Sequence, residues 1–544
     1  MNSYRAGSCR FITSTLSLPF LLIFLSFISL PSLAQAAKQG GIVNFAMNVN
    51  PDKIDPANSK AGSDMMIFAH VFEGLVYFKY DAKEKKTTAQ PVLAEKWENS
   101  SDGRTWTFSL RKGVKFHDGT PFNADAAKFS IERTLKDEPR TRYRDLKGIV
   151  DKVEVIDEYT IKLYCSTVVE HFLNLLGQST MLMVSPASVE KFGDKVGLHP
   201  VGTGPFKFVK WIPGELVELE VNKEYWGKRA NLDGIIFRFV TDNSARINML
   251  LTGEVDAASN IPVQDLERLK KSKNIEVISW PTATILRLFV NCELPPTNDL
   301  RVRKAIKLAI DRQGMIDAIL RGNATAAKSG VSPYSWGYYP AAEIIYDPSG
   351  AEKLLEKAGW IDTNKDGIRE KDGKNLSIVI QAAQPGRYPM DGEVLLAIQE
   401  NLRNVGAECK INFMEFAAFM NAIFLPLEKR ESVIDLVSYS SRTHAFFSTY
   451  PLLNSKNIPP NGLNFVFYKN PAMDAMLDQA LVELDPNKSL DLYKKIQILA
   501  EEDAPIINLW MIYETVAKTK NIHDLEFNPI PVYDTVNMRN AWKE

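Results

Sequence analysis

Apolar and polar residues alternate without a break from Thr105 to Arg111: Trp106, Phe108 and Leu110 on one parity, Thr107, Ser109 and Arg111 on the other. A period of two predicts a strand with one buried face. Residues 93–99 before it predict a short helix, with a turn at Asp102-Gly103 between the two. Further turns follow at Lys112-Gly113 and Asp118-Gly119-Thr120-Pro121, and Asn123 predicts an N-cap for an amphipathic helix over 124–137. Residues 41–47 predict a strand that enters a turn at 51–56. Residues 71–80 predict a helix end, a break at Gly74 and a strand, and polar residues 79–90 predict a crossover out of the first structural unit. A hairpin is predicted around Asp157-Glu158, from 153–155 to 160–164. After a strand at 286–291, Asp299 caps one long predicted helix over 299–322, with Leu300, Val302, Ala305, Ile306, Ala309 and Ile310 at helical spacing and Gly322 at its end. Pro348 opens a helix stopped by Gly359, and a helix over 394–405 stops at Gly406. Alternating strands and helices predict an α/β class with extensive sheets.

Composition changes this picture little. The 544 residues are 45% apolar and 24% charged, with a formal net charge of −1, so no overall field selects nucleic acid or acidic lipid as a partner. The N-terminus is distinct. Arg5 and Arg10 precede an uncharged apolar stretch at 16–30, and Ala34-Gln35-Ala36 offers a small-x-small cleavage site. This is the pattern of an export leader, removed after Ala36, and it predicts a periplasmic protein. The apolar stretch is short for a membrane span and carries Pro19 at one end, with Pro31 just beyond the other. Cys9 lies in the leader, which leaves Cys165, Cys292 and Cys409: at most one disulfide, and no zinc spacing.

Several separated strings, in one order along the chain, carry a resemblance. They are LAEKWENSSDGRTWTFSLRKGVKFHDGTPF from Leu93, Gly202-Thr203-Gly204-Pro205-Phe206, Tyr225-Trp226-Gly227, and Asn291 followed by Asp299, Arg301, Arg303 and Ala305 in a D-x-R-V-R-x-A frame. Together they resemble the family 5 extracytoplasmic solute-binding proteins, the dipeptide- and oligopeptide-binding proteins of ABC transporters. The resemblance implies a periplasmic-binding-protein-like two-lobe fold with a hinge (class II, cluster C) and an extra α+β domain in the first lobe. Lobe one would comprise 37–82, 198–286 and 511–544, the extra domain 83–197, and lobe two 287–510. It also implies a monomer with no cofactor, a peptide or peptide-like small solute as ligand, and ABC permease subunits of the inner membrane as partners.

The same resemblance implies ligand-binding positions. Dipeptide-binding members carry a tryptophan-rich turn whose aspartate pairs with the peptide ammonium. Here that stretch is 435–451; Tyr439 takes the tryptophan position and Arg442 falls near the aspartate's. Asp435 precedes the strand's apolar residues and reads as positional. Arginine repels an ammonium and instead offers a fork to carboxylate or phosphate. Arg387 falls near the position whose arginine holds the peptide carboxylate, so two arginines and no aspartate point to an anionic solute such as a blocked peptide, an opine or a sugar phosphate. Trp336 and Tyr338, in an aromatic loop with Tyr339, would wall the cleft, and Asn48 would lie where the cleft begins in lobe one. Phe446 and Phe447 read as core.

Other chemistries find little support. There is no GxSxG, HExxH or phosphate-binding loop, which argues against a hydrolase, and the six histidines are scattered. His117 and His444 read as surface or satisfied core residues. Asp362, Asn364, Asp366 and Gly367 begin like a calcium loop, but Gly373 stands where a closing glutamate belongs, so a polar hairpin turn is expected. A sensor or chaperone on the same fold stays open alongside transport.

Overall fold

The computed structural model describes residues 40–51, 53–58, 62–136, 146, 148–530 and 535–544. The leader and its cleavage site lie outside the described residues. No helix among the described residues is long and apolar enough to cross a membrane.

One eleven-stranded mixed sheet runs through the molecule. Its order is Glu408–Met414, Ser377–Ala383, Ile434–Ser440, Ile275–Val290, Ile506–Thr519, Ala257–Ser259, Ile42–Met47, Gly234–Phe239, Leu216–Val221 and Phe206–Ile212, with Ala324–Ala326 also pairing with Ile506–Thr519. Two strands are much longer than the rest. Ile275–Val290 and Ile506–Thr519 pair antiparallel along most of their length, with their register shifted between Pro281 and Ile285. Val516 belongs to a first core with Phe45, Phe72, Phe206 and Phe237, whereas Leu286, Leu288 and Ile507 belong to a second core with Val302, Ile378 and Leu402. The two long strands therefore carry the chain between separate hydrophobic cores, which is the layout of two lobes and a hinge.

The alternation at 105–110 forms the predicted strand, and Trp106, Phe108 and Leu110 are buried. It joins a four-stranded sheet in the order Ala94–Asn99, Thr105–Leu110, Thr160–Cys165, Val150–Asp157, with a core of its own. Two local expectations change here. Residues 94–99 form a strand instead of a helix, because pairing with Thr105–Leu110 overrides their helical propensity. The polar stretch at 79–90 does not cross out of the unit; Val76–Asp81 turns back antiparallel onto Lys86–Pro91. The helix Ala124–Leu135 forms as predicted, and the Asn123 side chain accepts a hydrogen bond from Ala126 N at 3.0 Å.

Two of the strings that carry the resemblance meet at one buried carboxylate. Glu73 accepts hydrogen bonds from Tyr225 Oη at 2.6 Å, Trp226 Nε1 at 2.8 Å and Thr203 Oγ1 at 3.0 Å, and Arg539 lies 3.4 Å away. These strings therefore converge on one buried polar group.

The long helix expected at 299–322 is two helices, Leu300–Ala309 and Arg312–Ala318. Ile310 turns extended, and Asp311 caps the second helix by accepting from Gly314 N at 2.8 Å. An aspartate side chain that can bond the backbone three residues on competes with a continuing helix. Asp299 caps the first as expected. Cys165, Cys292 and Cys409 are all free thiols, and burial pushes their pKa values up to about 11, about 12 and about 12. Cys165 is buried and the other two are half-buried, and a raised pKa favours the less reactive protonated thiol.

Candidate functional site

In open α/β sheets, ligands collect outside the carboxyl ends of parallel strands. Around the second core, Ser377–Ala383 runs parallel to both Glu408–Met414 and Ile434–Ser440. Their carboxyl ends lead into the loop with Arg387, into Phe416, and into the turn with Arg442. Around the first core, Ile42–Met47 runs parallel to Gly234–Phe239 and Ala257–Ser259. Asn48 and Asn260 follow two of these strands, and Asn260 Nδ2 donates to Asn48 Oδ1 at 2.5 Å.

The structure brings Trp336, Tyr439 and Arg442 into one assembly. Two segments, 332–338 and 439–446, are laced by backbone and hydroxyl bonds. Trp336 N donates to Thr443 O at 2.9 Å and Ala445 N to Trp336 O at 2.8 Å, while Ser335 Oγ donates to Arg442 O at 2.7 Å. Arg442 holds a left-handed φ of 46°, a strained state for arginine that the surrounding bonds must impose. The Trp336 ring stacks on His444 at 4.6 Å and meets Tyr493 edge-on. Tyr338 packs against the same cluster, and burial pushes its hydroxyl pKa up.

Arg387 sits in the neighbouring loop. The buried Asp391 carboxylate accepts from the backbone N of Gly386, Arg387 and Tyr388, and Tyr388 Oη accepts from Ser438 N, one residue before Tyr439. The exposed Arg387 guanidinium lies 4.2 Å over the Phe416 ring. Asn48 stands apart from these five, on the first-core side. Asp435 is positional, as expected: it is buried and pairs with buried Arg430. Phe447 is core, while Phe446 is only half-buried.

Sequence reasoning missed what faces this assembly. Arg442 Nη1 donates to Gln178 Oε1 at 3.1 Å, Asn174 Nδ2 donates to Thr443 Oγ1 at 2.9 Å, and Phe447 enters the core of the four-stranded sheet. Nothing in the spacing of Asn174 and Gln178 marks them; their partners lie more than 260 residues away. His444 is buried, with Nε2 3.1 Å from Glu170 Oε2, and the His171 ring stacks 3.7 Å from Phe446. Burial first, then His444, holds His171 neutral with a pKa well below its usual value.

Two clusters could gather a metal ion. Ligand atoms of Glu170, His171 and His444 lie within 4.8 Å of one another, a two-histidine, one-carboxylate set suited to a transition metal. However, His444 Nδ1 accepts from Phe446 N at 3.1 Å, so in a neutral ring the proton sits on Nε2. That nitrogen faces Glu170 Oε2 at 3.1 Å, yet neither atom makes a hydrogen bond among the described residues, and His171 Nδ1 is likewise buried without one. The second cluster is Asp362, Asp366 and Glu370, also within 4.8 Å. Its loop leads into the small hairpin of Glu370–Lys371 and Lys374–Asn375, the polar turn expected from sequence. Glu370 stands ninth in the loop, not twelfth, and already accepts from Thr363 N at 2.9 Å. His117 is half-buried and satisfied, bonded through Nε2 to Gly204 O at 2.9 Å.

The fold and strings have known counterparts. Residues 88–425 match the family described as "Bacterial extracellular solute-binding proteins, family 5 Middle". The glutathione-binding protein GsiB of Salmonella choleraesuis is 31% identical over 495 residues, covering 90% of this chain and 92% of that one. The periplasmic binding protein DppA of Helicobacter pylori, solved with the peptide STSA, matches with a TM-score of 0.75 and 26% identity over 92% of this chain and 99% of its own. MoaA of A. tumefacien R10, solved with mannopinic acid, matches with a TM-score of 0.74 and 25% identity over 93% of this chain and 100% of its own. The chain belongs to the bacterial extracellular solute-binding proteins of family 5, which are substrate-binding transport proteins and not enzymes.

Proposed function

We propose that this protein is the periplasmic substrate-binding component of an ABC importer. It is exported by the leader 1–36, captures peptides or peptide-like solutes as a monomer, and delivers them to an inner-membrane permease. Lobe one comprises 37–82, 198–286 and 511–544, the extra domain 83–197, and lobe two 287–510. The observation that carries this reading is the Trp336–Tyr439–Arg442 assembly, which stands at strand carboxyl ends and reaches Gln178 of the extra domain. A ligand held there gains contacts to both sides only when the lobes close, and that difference in affinity drives closure. Excluding water then strengthens each charged contact inside.

A second reading is a binding protein for an anionic opine-like solute. It is favoured by the exposed Arg387 guanidinium, the Arg442 guanidinium, and the likeness to a protein solved with mannopinic acid. A thermal-shift screen of the exported protein separates the two. The panel holds short peptides with free or acetylated N-termini, glutathione, mannopinic acid and sugar phosphates. A solute at 100 times its Kd adds about 2.7 kcal/mol to the unfolding free energy. Stabilisation by peptides or glutathione supports the first reading; stabilisation by mannopinic acid alone supports the second. In either case Arg442→Asp should weaken the stabilising solute by about 2 kcal/mol or more in isothermal titration. An unchanged Kd would remove Arg442 from the site and leave it as a lobe-to-lobe contact.

A further inference from the structure

We propose that Glu170, His171 and His444 form a resident site for a divalent transition-metal ion, zinc being the ion whose chemistry fits best, and that this ion clasps the domain of the four-stranded sheet to the core around Leu452 and Tyr493. The inference goes beyond the proposed function and does not depend on which solute the protein carries.

Three observations carry it. First, the donors converge from two bodies. His171 precedes the short helix Phe172–Leu176, whose Phe172, Leu175 and Leu176 lie in the core of the four-stranded sheet. His444 sits in the turn between the strand Ile434–Ser440 and the helix Phe446–Leu453, and the Trp336 ring stacked on it packs against the core that holds Leu452 and Tyr493. Backbone bonds fix both sides: Glu170 N donates to Leu481 O at 2.9 Å, and Ala445 N to Trp336 O at 2.8 Å. Glu170 Oε2 then stands 3.1 Å from His444 Nε2 and 3.9 Å from His171 Nδ1, and all three atoms lie within 4.8 Å of one another. Nitrogen and oxygen ligands held at about 2.0–2.2 Å from one ion lie roughly 3–3.6 Å apart, so a small side-chain adjustment seats an ion among them.

Second, all three donor atoms are buried and make no hydrogen bond among the described residues. The side chains of His171 and His444 are 2% and 3% exposed. Buried polar atoms are almost always paired, and three orphans at one point call for a common partner.

Third, that partner has to be positive. Among the described residues no lysine or arginine pairs with Glu170; the two histidines alone stand within ion-pair range. His444 cannot supply the charge, because Phe446 N donates into its Nδ1 at 3.1 Å, which requires a lone pair there and excludes the imidazolium. A protonated His171 would leave a charged Nδ1–H buried 3.9 Å from the carboxylate, beyond hydrogen-bond reach. A bridging water would pair the three atoms but leave the carboxylate charge uncompensated. A metal ion supplies both the charge and the shared centre. Two imidazoles and one carboxylate are donors that a zinc-like ion takes, with a fourth position left for water. The Glu170 side chain, 15% exposed, marks the side from which the ion enters. Ligation uses the Nε2 lone pair of His444. The ring proton therefore moves to Nδ1, and Phe446 N, one of the first amides of the helix Phe446–Leu453, gives up that acceptor.

The test uses the exported full chain, stripped with a chelator, beside its Glu170→Gln and His444→Gln variants. Asp366→Asn is the control for the exposed acidic cluster. The probes are Zn²⁺ and Co²⁺ with no solute added, so a failure here is separate from a failure of the carrier reading. The wild type should bind a single equivalent of zinc in equilibrium dialysis, and zinc should raise its melting midpoint. Co²⁺ should give the intense visible bands of a four-coordinate nitrogen–oxygen site. Glu170→Gln and His444→Gln should each weaken zinc by at least about tenfold, while Asp366→Asn keeps wild-type affinity. Circular dichroism of the metal-free variants checks the fold, and the wild-type cobalt spectrum keeps the test decisive where a variant does not fold: weak bands of a six-coordinate, all-oxygen site would overturn the assignment. Wild-type zinc affinity in both Glu170→Gln and His444→Gln, or its loss in Asp366→Asn, would place the ion elsewhere and overturn it too. If the wild type binds neither ion, the three atoms share a water and the proposal falls.

Discussion

Gly202→Ala should lower the unfolding free energy by more than about 3 kcal/mol, the upper range for forcing extra volume into a packed core. A Cβ built on Gly202 would lie 2.1 Å from Val71 O, 2.7 Å from Phe72 Cδ1 and 2.9 Å from Phe72 Cα. Two of these three atoms are backbone, so no flexible side chain can move aside. Val71 ends the helix Gly62–Val71, and its carbonyl accepts from Gly204 N at 3.0 Å. Moving the helix end away would break that bond and disturb Phe72 and Phe206 of the first core, as well as Thr203 on Glu73. The effect should be one of contact, not of backbone freedom. Gly214→Ala is the control: it has a φ of 77° but nothing within 4 Å, and should cost only about 1 kcal/mol. Urea unfolding with an unchanged m-value checks both. A Gly202→Ala loss no larger than that of Gly214→Ala would refute the close-approach account of the Gly-Thr-Gly-Pro-Phe string.

The second large effect concerns Asp435. Asp435→Ala should cost about 3–5 kcal/mol, because it strands the buried Arg430 guanidinium without a counter-charge. Both side chains are 2% exposed, and Ser432 Oγ adds a hydrogen bond to the carboxylate at 2.9 Å. Burial pushes the Asp435 carboxyl up while Arg430 pulls it back. Removing both charges should be far less harmful: Asp435→Leu with Arg430→Met replaces the pair by apolar volume and should recover most of the loss. Isothermal titration with the best solute adds a functional arm. Asp435 is sealed inside the strand, so ligand affinity in Asp435→Asn should match wild type at a temperature where the variant is folded. A selective loss of affinity for free-amino solutes would instead make Asp435 the ammonium acceptor.

Glu514, in the strand Ile506–Thr519, gives a pH signature. Its folded pKa lies above the usual carboxylate value of about 4.3, so the folded state holds more protons than the unfolded state in the window above that value. Ligand-free stability from this group is therefore present at low pH and lost as pH rises through the raised pKa. Glu514→Gln should flatten that part of the stability profile, which chemical denaturation at a series of pH values measures.

Local pattern made much of the fold legible. The strand at 105–110, the Asn123 and Asp299 caps and the hairpin around Asp157 all follow from nearest-neighbour chemistry, so the chain reveals them directly. The failures have two causes. Residues 94–99 look helical but pair with a strand, and 299–322 looks continuous but breaks where Asp311 finds Gly314. In the first case a partner strand decided the outcome, and in the second a single side-chain bond outweighed periodicity.

The site divides in the same way. The sequence by itself determined the family, the α/β class, the aromatic loop at 336–338 and the arginine at 442, because these reside in contiguous strings. Tertiary structure alone decided what those groups meet: Gln178 against Arg442, Glu170 against His444, and Glu73 beneath the two motif strings. A side chain's type is written at its own position. Whether its charge is compensated depends on residues hundreds of positions away, which only the packing of the sheets brings within hydrogen-bond distance.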